Sequence, residues 1–578
     1  MSYTLGLATM DNSAAALFQG NRLVAAIEEE RLSRIKNDGS FPHLAISEVL
    51  DIAGIRLSNV DTIAVYWKPW QLDTRVSGTL RKLATAPLAR AAILARLQDM
   101  AGTGPARNDP PPGSWRDLFR LRKILTKHHG PTSAHLHFID HHHSHQLYGE
   151  AMRDWNGCLS LSYDGGGERN STVLTAVRDG RRQVVTCHRW PNSLGHYYAT
   201  FTGYLGFKML EGEYKLMGLA PYGKPRWRDT ILTEVLQLEP EGRYRLNTTI
   251  CDYHAALQGR FHPRLKELFG PPRAPDAPLT EEHIDLATSL QAAFEAVQTH
   301  VLSYGKKRHP DLRRLVISGG SALNVTANGR LLQAGMFDEI IIPPAPHDAG
   351  CAVGAALAVL PDAEKPSVRS PYQGRDYSAA EIATAIAAHC RTPPPPLPEH
   401  QLIETTAQML TEGRLIAWFQ GRAEFGPRAL GARSFLADPR RDEIREKLND
   451  KIKKRELFRP FAPSVTEDGA PSLFALDQPS PYMNIVADVI GTSIPAVTHV
   501  DGTARVHTVS RDAHARYHAL IARFGELTGV PALLNTSFNI QEPIVYSPEH
   551  ALRTFAASGV DALVIGDHVL TREDLVCP

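Results

Sequence analysis

The sequence predicts an α/β protein of two domains, the first built around a duplicated lobe. Three observations carry this. At 578 residues the chain exceeds what one hydrophobic core organises. A pattern of strand, acidic turn, strand, tight turn and strand occurs twice before Trp190. Proline clusters at Pro361–Pro371 and Thr392–Pro398 fall where the sequence pattern changes, which places the boundary near residue 366 and the domains at 1–366 and 367–578. Two further proline-rich stretches, Gly104–Gly113 and Gly270–Pro278, read as surface loops of the first domain.

In chain order, Thr4–Ala8 reads as a strand, followed by the turn Asp11-Asn12-Ser13, a strand Ala14–Phe18, the turn Gly20-Asn21 and a strand Leu23–Ile27. The echo begins at the strand Cys158–Tyr163. It continues through Asp164-Gly165-Gly166-Gly167-Glu168, a strand Ser171–Val177, the turn Asp179-Gly180 and a strand Gln183–Arg189. Two unrelated meanders would leave the same trace. A third feature favours duplication: the apolar strand Arg314–Ser318 runs into Gly319-Gly320-Ser321-Ala322-Leu323-Asn324 at a strand-to-helix turn. There Gly319 and Gly320 would let a flat ring or phosphate approach the backbone, and the helix N-terminus supplies free N–H donors. With the two acidic turns, this is similar to the layout of the actin-like ATPase fold, and the turn takes the place of its adenosine-binding loop. A strand Glu339–Ile342 then leads to His347-Asp348 and a small-residue helix, Cys351–Leu360. The second domain opens with a helix over Ser378–His389.

Composition narrows the function. Hydrophobic residues at 43% and charged residues at 22% describe a folded globular chain. Lys+Arg (63) balances Asp+Glu (62), so no global basic field draws nucleic acid to the surface, and none is expected as a partner. The six cysteines are scattered without a CxxC pair, which argues against a disulfide framework and a thiolate zinc site and for a reducing compartment. The most apolar run, Cys351–Leu360, falls far short of the ~20 residues of a membrane span. The N-terminus lacks the basic start of a signal peptide, so a cytoplasmic location is expected.

The densest chemical signal is Asp140-His141-His142-His143-Ser144-His145-Gln146. Residues four apart on a helix share a face, so His141 and His145 can share one ion. Asp164 and Asp348, at the turns already named, could complete the set. Two His and two Asp suit Fe2+, Mn2+, Zn2+ or Mg2+, and the absence of Cys ligands disfavours a closed structural zinc site.

Several blocks carry a more specific resemblance: Glu28–Lys36, His141–His145, Gly212–Gly223, Ser318–Arg330 and His347–Gly354, then Glu424–Ser434, Lys447–Pro463 and Leu534–Asn539. With these the sequence resembles the NodU/CmcH carbamoyltransferase family over nearly its whole length. The resemblance implies an actin-like (ASKHA, TsaD-like) first domain and an α/β YrdC-like second domain. It implies that the second domain converts carbamoyl phosphate and ATP to carbamoyl adenylate. The first would pass the carbamoyl group to a hydroxyl, or an amine, of a small secondary-metabolite acceptor, with a divalent metal, Fe2+ foremost, at the His/Asp cluster. Under it Gly165, Gly166, Gly319, Gly320, Asn324 and Lys215 would hold the nucleotide, and Lys36 would act on the adenylate phosphate. The family's first turn reads His-Asp-x-Ser, whereas this chain has Met10-Asp11-Asn12-Ser13. Met10 takes no proton, which leaves Asp11 and metal assistance to deprotonate the acceptor.

In the second domain Lys451–Arg459 is a basic stretch that a solvated helix face would also explain. A site for carbamoyl phosphate and a triphosphate needs converging cations with fork geometry. Arg428, Lys453, Arg459 and Arg505 are the expected set, Lys453 and Arg505 as catalytic groups, with Ser537 as hydroxyl donor and Asn535 at the nucleotide. Lys451, Lys454, Arg433 and Asn539 are weaker candidates. The segment 67–130, with Trp67, Trp70 and Trp115, reads as an acceptor-specific cap or as core. Two other readings stay open: a tRNA-modifying threonylcarbamoyl transferase, which the charge balance disfavours, and a nucleotide-binding regulator without turnover, which has no use for the His/Asp set. A homodimer is left open.

Overall fold

A computed structural model describes residues 2–71, 73–85, 90, 91, 93, 94, 115–361, 366–453, 455, 456 and 458–576. Gly104–Gly113, Lys454 and Cys577 lie outside the described residues, as do the side chains of Trp115 and Lys451. The described chain is mixed α/β and divides into two compact units. One is 1–29 with 37–369, and the other is 30–36 with 370–578.

The first unit contains two five-stranded sheets. In one, β1 (Tyr3–Ala8), β2 (Ala14–Gln19), β3 (Arg22–Glu28), β4 (Thr62–Val65) and β5 (His135–Phe138) lie in the order β3-β2-β1-β4-β5. In the other, β6 (Gly157–Tyr163), β7 (Asn170–Arg178), β8 (Arg181–Arg189), β11 (Arg314–Ser318) and β12 (Glu339–Ile341) lie in the order β8-β7-β6-β11-β12. Between them in sequence, β9 (Leu236–Glu239) and β10 (Arg243–Leu246) form a separate ribbon. In each sheet the first strand pairs antiparallel with the second and parallel with the fourth. The two sheets therefore share one topology, so the repeat read from the sequence is a structural duplication. The strand ends differ from the sequence reading by one or two residues, where fraying and pairing rules compete.

The duplication extends to the helix after each fifth strand. In the first copy this is α1 (His141–Glu150), capped by the Asp140 side chain, which accepts from the His143 amide at 3.0 Å. In the second it is α2 (Gly350–Val359), whose sequence GCAVGAALAV carries no long side chain. The two helices pack against each other. Gly354 makes this approach possible, because a Cβ there would overlap the Ser144 carbonyl of α1.

The second unit is a nine-stranded sheet. Its strands are β13 (Ile416–Phe419), β14 (Arg433–Ala437), β15 (Ala462–Thr466), β16 (Phe474–Ala475), β17 (Ile485–Val489), β18 (Thr503–Val509), β19 (Ala532–Ser537), β20 (Ala562–Ile565) and β21 (His568–Thr571). They are ordered β16-β17-β18-β15-β19-β14-β13-β20-β21. Strand alternation builds a core on each face: Ala417 and Phe419 join Ile386, Phe435, Leu563 and Phe555, while Ile416 and Trp418 join Leu402, Leu410, Leu520 and Phe524. The short segment 30–36 belongs to this unit through Arg31, which donates to the Gly426 carbonyl at 2.6 Å, and Arg34, which donates to the Ile544 and Pro543 carbonyls at 2.7 and 2.5 Å. No helix among the described residues is long and apolar enough to cross a membrane.

Because Gly354 sits at the contact between α1 and α2, Gly354→Ala should cost about 1–3 kcal/mol through overpacking. Thermal denaturation reads it as a lower Tm, and an unchanged Tm would show that the helices can part without penalty.

Candidate functional site

The packing of α1 on α2 decides where four polar side chains meet. His141 and His145 project from one face of α1, Asp164 follows the end of β6, and Asp348 lies two residues before α2. One donor atom from each of the four lies within 4.8 Å of the others. The Nε2 atom of His145 stands 3.2 Å from Asp164 Oδ2 and 3.4 Å from Asp348 Oδ1, and that of His141 stands 3.5 and 4.0 Å from the same oxygens. The structure thus brings together all four residues that the sequence reading proposed as one set.

Electrostatics makes the group unusual. Burial holds the His141 imidazole down to about 3, so it is neutral, and its two ring nitrogens are buried without a hydrogen bond. Burial, followed by the charge of Asp164, pushes the Asp348 carboxyl up to about 7. Asp164 behaves oppositely: against burial, its contacts with His141 and His145 hold it well below the usual carboxylate range. A buried imidazole with an unused lone pair beside two carboxylates fits a divalent cation in both charge and donor type.

Three neighbours that the sequence reading missed shape the cluster. The Tyr66 hydroxyl, fully buried, lies 2.5 Å from the Thr9 carbonyl and 3.1 Å from Asp348 Oδ2. Glu168 accepts from the Lys68 amide at 2.7 Å and the His141 amide at 3.2 Å, tying the start of α1 to the turn after β6. Cys351, in the first turn of α2, is within 4.8 Å of a donor nitrogen of each imidazole. The Asp164-to-Glu168 spacing and the Asp348-x-x-Cys351 spacing were the only available signals for the last two. Trp67 is core, its ring 4.9 Å from that of His141, whereas Trp70 is exposed against Phe138.

The glycine turns pack around Asp164. Gly165 donates its amide to Asp164 Oδ1 at 2.6 Å. Gly319 takes φ +88° and lies so close to the Tyr163 carbonyl that a Cβ would overlap it, while a Cβ on Gly320 would come 3.0 Å from Asp164 Oδ1. These close approaches are made to the protein's own β6 and its turn, and Gly166 likewise borders Trp190 and Arg75. The Asn324 side chain caps the next helix at the Ala327 amide and pairs with Gln291. Lys215 lies over the Phe207 ring at 5.8 Å. Asp11 is exposed in the turn after β1, and its charge is felt at both Tyr66 and Asp348.

The second unit gathers the expected cations. Burial and the Arg459 charge lower Arg428 to about 10. Burial and the charges of Arg428, Arg455 and Arg459 lower Arg505 far below its ordinary value. The Nε atoms of Arg428 and Arg505 are buried and unbonded, and among the described residues neither guanidinium has an ion-pair partner. Arg459 faces Glu456 at 3.9 Å. Lys453 is committed differently: its Nζ lies 2.5 Å from the Ser537 carbonyl and 2.8 Å from both the carbonyl and Oδ1 of Asn539. It therefore pins the Ser537–Asn539 turn. Lys36, read from the sequence as part of the first domain's cleft, falls in the segment that joins the second unit, where its charge reaches Lys453. Arg433 is fully buried, bonded to the carbonyls of Gln420 and Gly421 and stacked 3.6 Å over Phe419. Asn535 bridges the Ala429 carbonyl and Ser464 Oγ. Both hold the sheet together.

A polar cluster suited to a cation lies in one unit, and a cluster of arginines with Glu456 beside Arg459 lies in the other. Residues 3–357 match the model of the carbamoyltransferase N-terminus and residues 407–572 that of the carbamoyltransferase C-terminus. The chain belongs to the carbamoyltransferase family and is an enzyme of that class. It is 39% identical to an uncharacterized protein of Synechocystis sp. over 99% of this chain and 97% of that one. It is 35% identical to nodulation protein NolNO of Sinorhizobium fredii over 97% of this chain and 79% of the relative. With nodulation protein NolO of Bradyrhizobium diazoefficiens it shares 39% identity over 75% and 79% of the two chains.

Burial and then the Asp140 charge push Glu168 up from 4.5 to about 7. A carboxyl raised on folding binds its proton more tightly in the native state, so this contribution to stability is present below pH 4.5 and is lost as pH rises towards 7. Glu168→Gln removes the group that titrates. Its stability relative to wild type should therefore improve by on the order of 1–3 kcal/mol between pH 4 and pH 8 in urea unfolding. A constant difference between the two pH values would refute the shift.

Proposed function

We propose that the enzyme transfers a carbamoyl group in two steps, ATP-dependent activation in the second unit and transfer from the adenylate in the first. In the first step carbamoyl phosphate, ATP and water give carbamoyl adenylate, phosphate and pyrophosphate. In the second the acceptor oxygen (or amine nitrogen) attacks the carbamoyl carbon, the bond to the adenylate phosphate breaks, AMP leaves and the acceptor proton passes to a base. The observation that carries this reading is the pair Arg428 and Arg505, two guanidiniums with buried Nε atoms and, among the described residues, no ion-pair partner. Such charges are tolerated when the natural partner is a ligand of opposite charge. Arg459 adds a third charge, and Lys453 fixes the Ser537 turn, where the Ser537 hydroxyl donates to Asn539 Oδ1 at 2.7 Å.

For transfer, an actin-like arrangement of the duplicated lobes would bind the adenylate beside the glycine turns at 165–166 and 319–320, with Lys215 near its phosphate. His141, His145, Asp164 and Asp348 would hold a divalent ion, Fe2+ first, which would supply Lewis-acid polarisation of the carbamoyl or phosphate oxygens. Asp11, or assistance from the metal, would deprotonate the acceptor, since Met10 has no basicity. The acceptor is a small molecule.

Arg505→Ala and Arg428→Ala should each slow adenylate formation roughly 10²–10³-fold, the effect of losing one charge-assisted contact to the transition state. Transfer from supplied carbamoyl adenylate should persist, and Tm should not fall, because repulsion among buried cations is relieved. Pyrophosphate release and AMP release, measured separately, test this. Equal losses in both half-reactions would overturn the division of labour.

A further inference from the structure

The two imidazoles of α1 face more than the two carboxylates. Cys351 is fully buried, and its Sγ forms one group with a ring nitrogen of His141 and one of His145, all three atoms within 4.8 Å of one another. Its thiol is in hydrogen-bond contact with the His145 ring and lies 4.0 Å from the His141 carbonyl. His141 meanwhile leaves both ring nitrogens buried and unbonded. The sulfur lies in the first turn of α2.

We propose that Cys351 is a further ligand of the ion held by His141, His145, Asp164 and Asp348, binding as the thiolate and tuning the site towards Fe2+, Co2+ and Zn2+ over Mg2+ and Mn2+. This rests on the reading of that cluster as a metal site. On ligation the S–H bond breaks, a metal–sulfur bond forms and the proton leaves to water. The sulfur groups with the two imidazoles, and the carboxylates form a second group with them, so bonds of ~2.0–2.3 Å to one shared ion require the sulfur to draw in towards Asp164 and Asp348. Sulfur strengthens the preference for borderline over hard cations that the imidazoles begin and the carboxylates oppose.

The test uses full-length protein stripped with a chelator and titrated with Co2+ alone, read by absorption. Wild type should show visible ligand-field bands together with an intense near-ultraviolet sulfur-to-cobalt band. Cys351→Ser and Cys351→Ala should each keep the visible bands, lose the sulfur band and bind Co2+ at least roughly tenfold more weakly, with a smaller change for Mn2+. Bound cobalt without a sulfur band in wild type overturns this inference and leaves the metal reading standing. A sulfur band that persists in both variants assigns it to another cysteine, such as the exposed Cys187, and also overturns the inference. Failure to bind Co2+ at all overturns the metal reading, and this inference falls with it.

Discussion

The contact between α1 and α2 is the constraint on which the first unit's chemistry depends. The two helices occupy equivalent places, each following the fifth strand of its copy, and their closeness sets the spacing of the buried polar groups between them. A larger residue at 354 would drive the α2 backbone off the Ser144 carbonyl, and Asp348 and Cys351 would move with it. A run of small residues is thus a positional device here: it trades side-chain burial for precision in placing ligands on the neighbouring helix.

The two units answer opposite electrostatic problems. In the first, carboxylates and imidazoles share protons: a lowered Asp164, a raised Asp348 and a neutral His141 keep the group short of a full double negative charge. In the second no such sharing is available, since guanidiniums cannot hand off protons near neutral pH. Arg428, Arg455, Arg459 and Arg505 repel one another, with Glu456 beside Arg459 as a partial offset, and the shifts of Arg428 and Arg505 register that repulsion on top of burial. A fold that retains such a group is less stable for it, a pattern found where binding rather than stability sets the residue.

Much of this was legible in the sequence where local pattern and chemistry coincide. The strands around Asp11 and Asp164 show as apolar runs broken by acidic turns, and the four-residue spacing of His141 and His145 fixes a shared helical face. What was illegible depends on tertiary approach. Gly319 and Gly320 read as a cradle for a ligand, yet their closest neighbours are Tyr163 and Asp164 of the same sheet. Lys453 reads as an anion-binding charge, but its ammonium is spent on the Ser537 and Asn539 turn. Tyr66 carries no local signal, since it follows a plain apolar strand, and Cys351 offers only its spacing from Asp348 in an otherwise plain apolar helix. Segment 30–36 joins the second unit through two arginines whose acceptors lie hundreds of residues away.

Duplication also explains why two acids at equivalent positions act differently. Asp11 and Asp164 each occupy the turn between the first and second strands of their copies. Asp164 lies under α1 with both imidazoles against it, so its charge is fixed by them. Asp11 has no histidine helix over it and stays exposed, sensed by Asp348 only as a nearby charge. The environments thus separate two equivalent carboxylates into one buried among imidazoles and one exposed. The first copy contributes the histidines and the second the acids, so neither lobe could assemble the cluster alone, and the duplicated architecture itself becomes a requirement of the site.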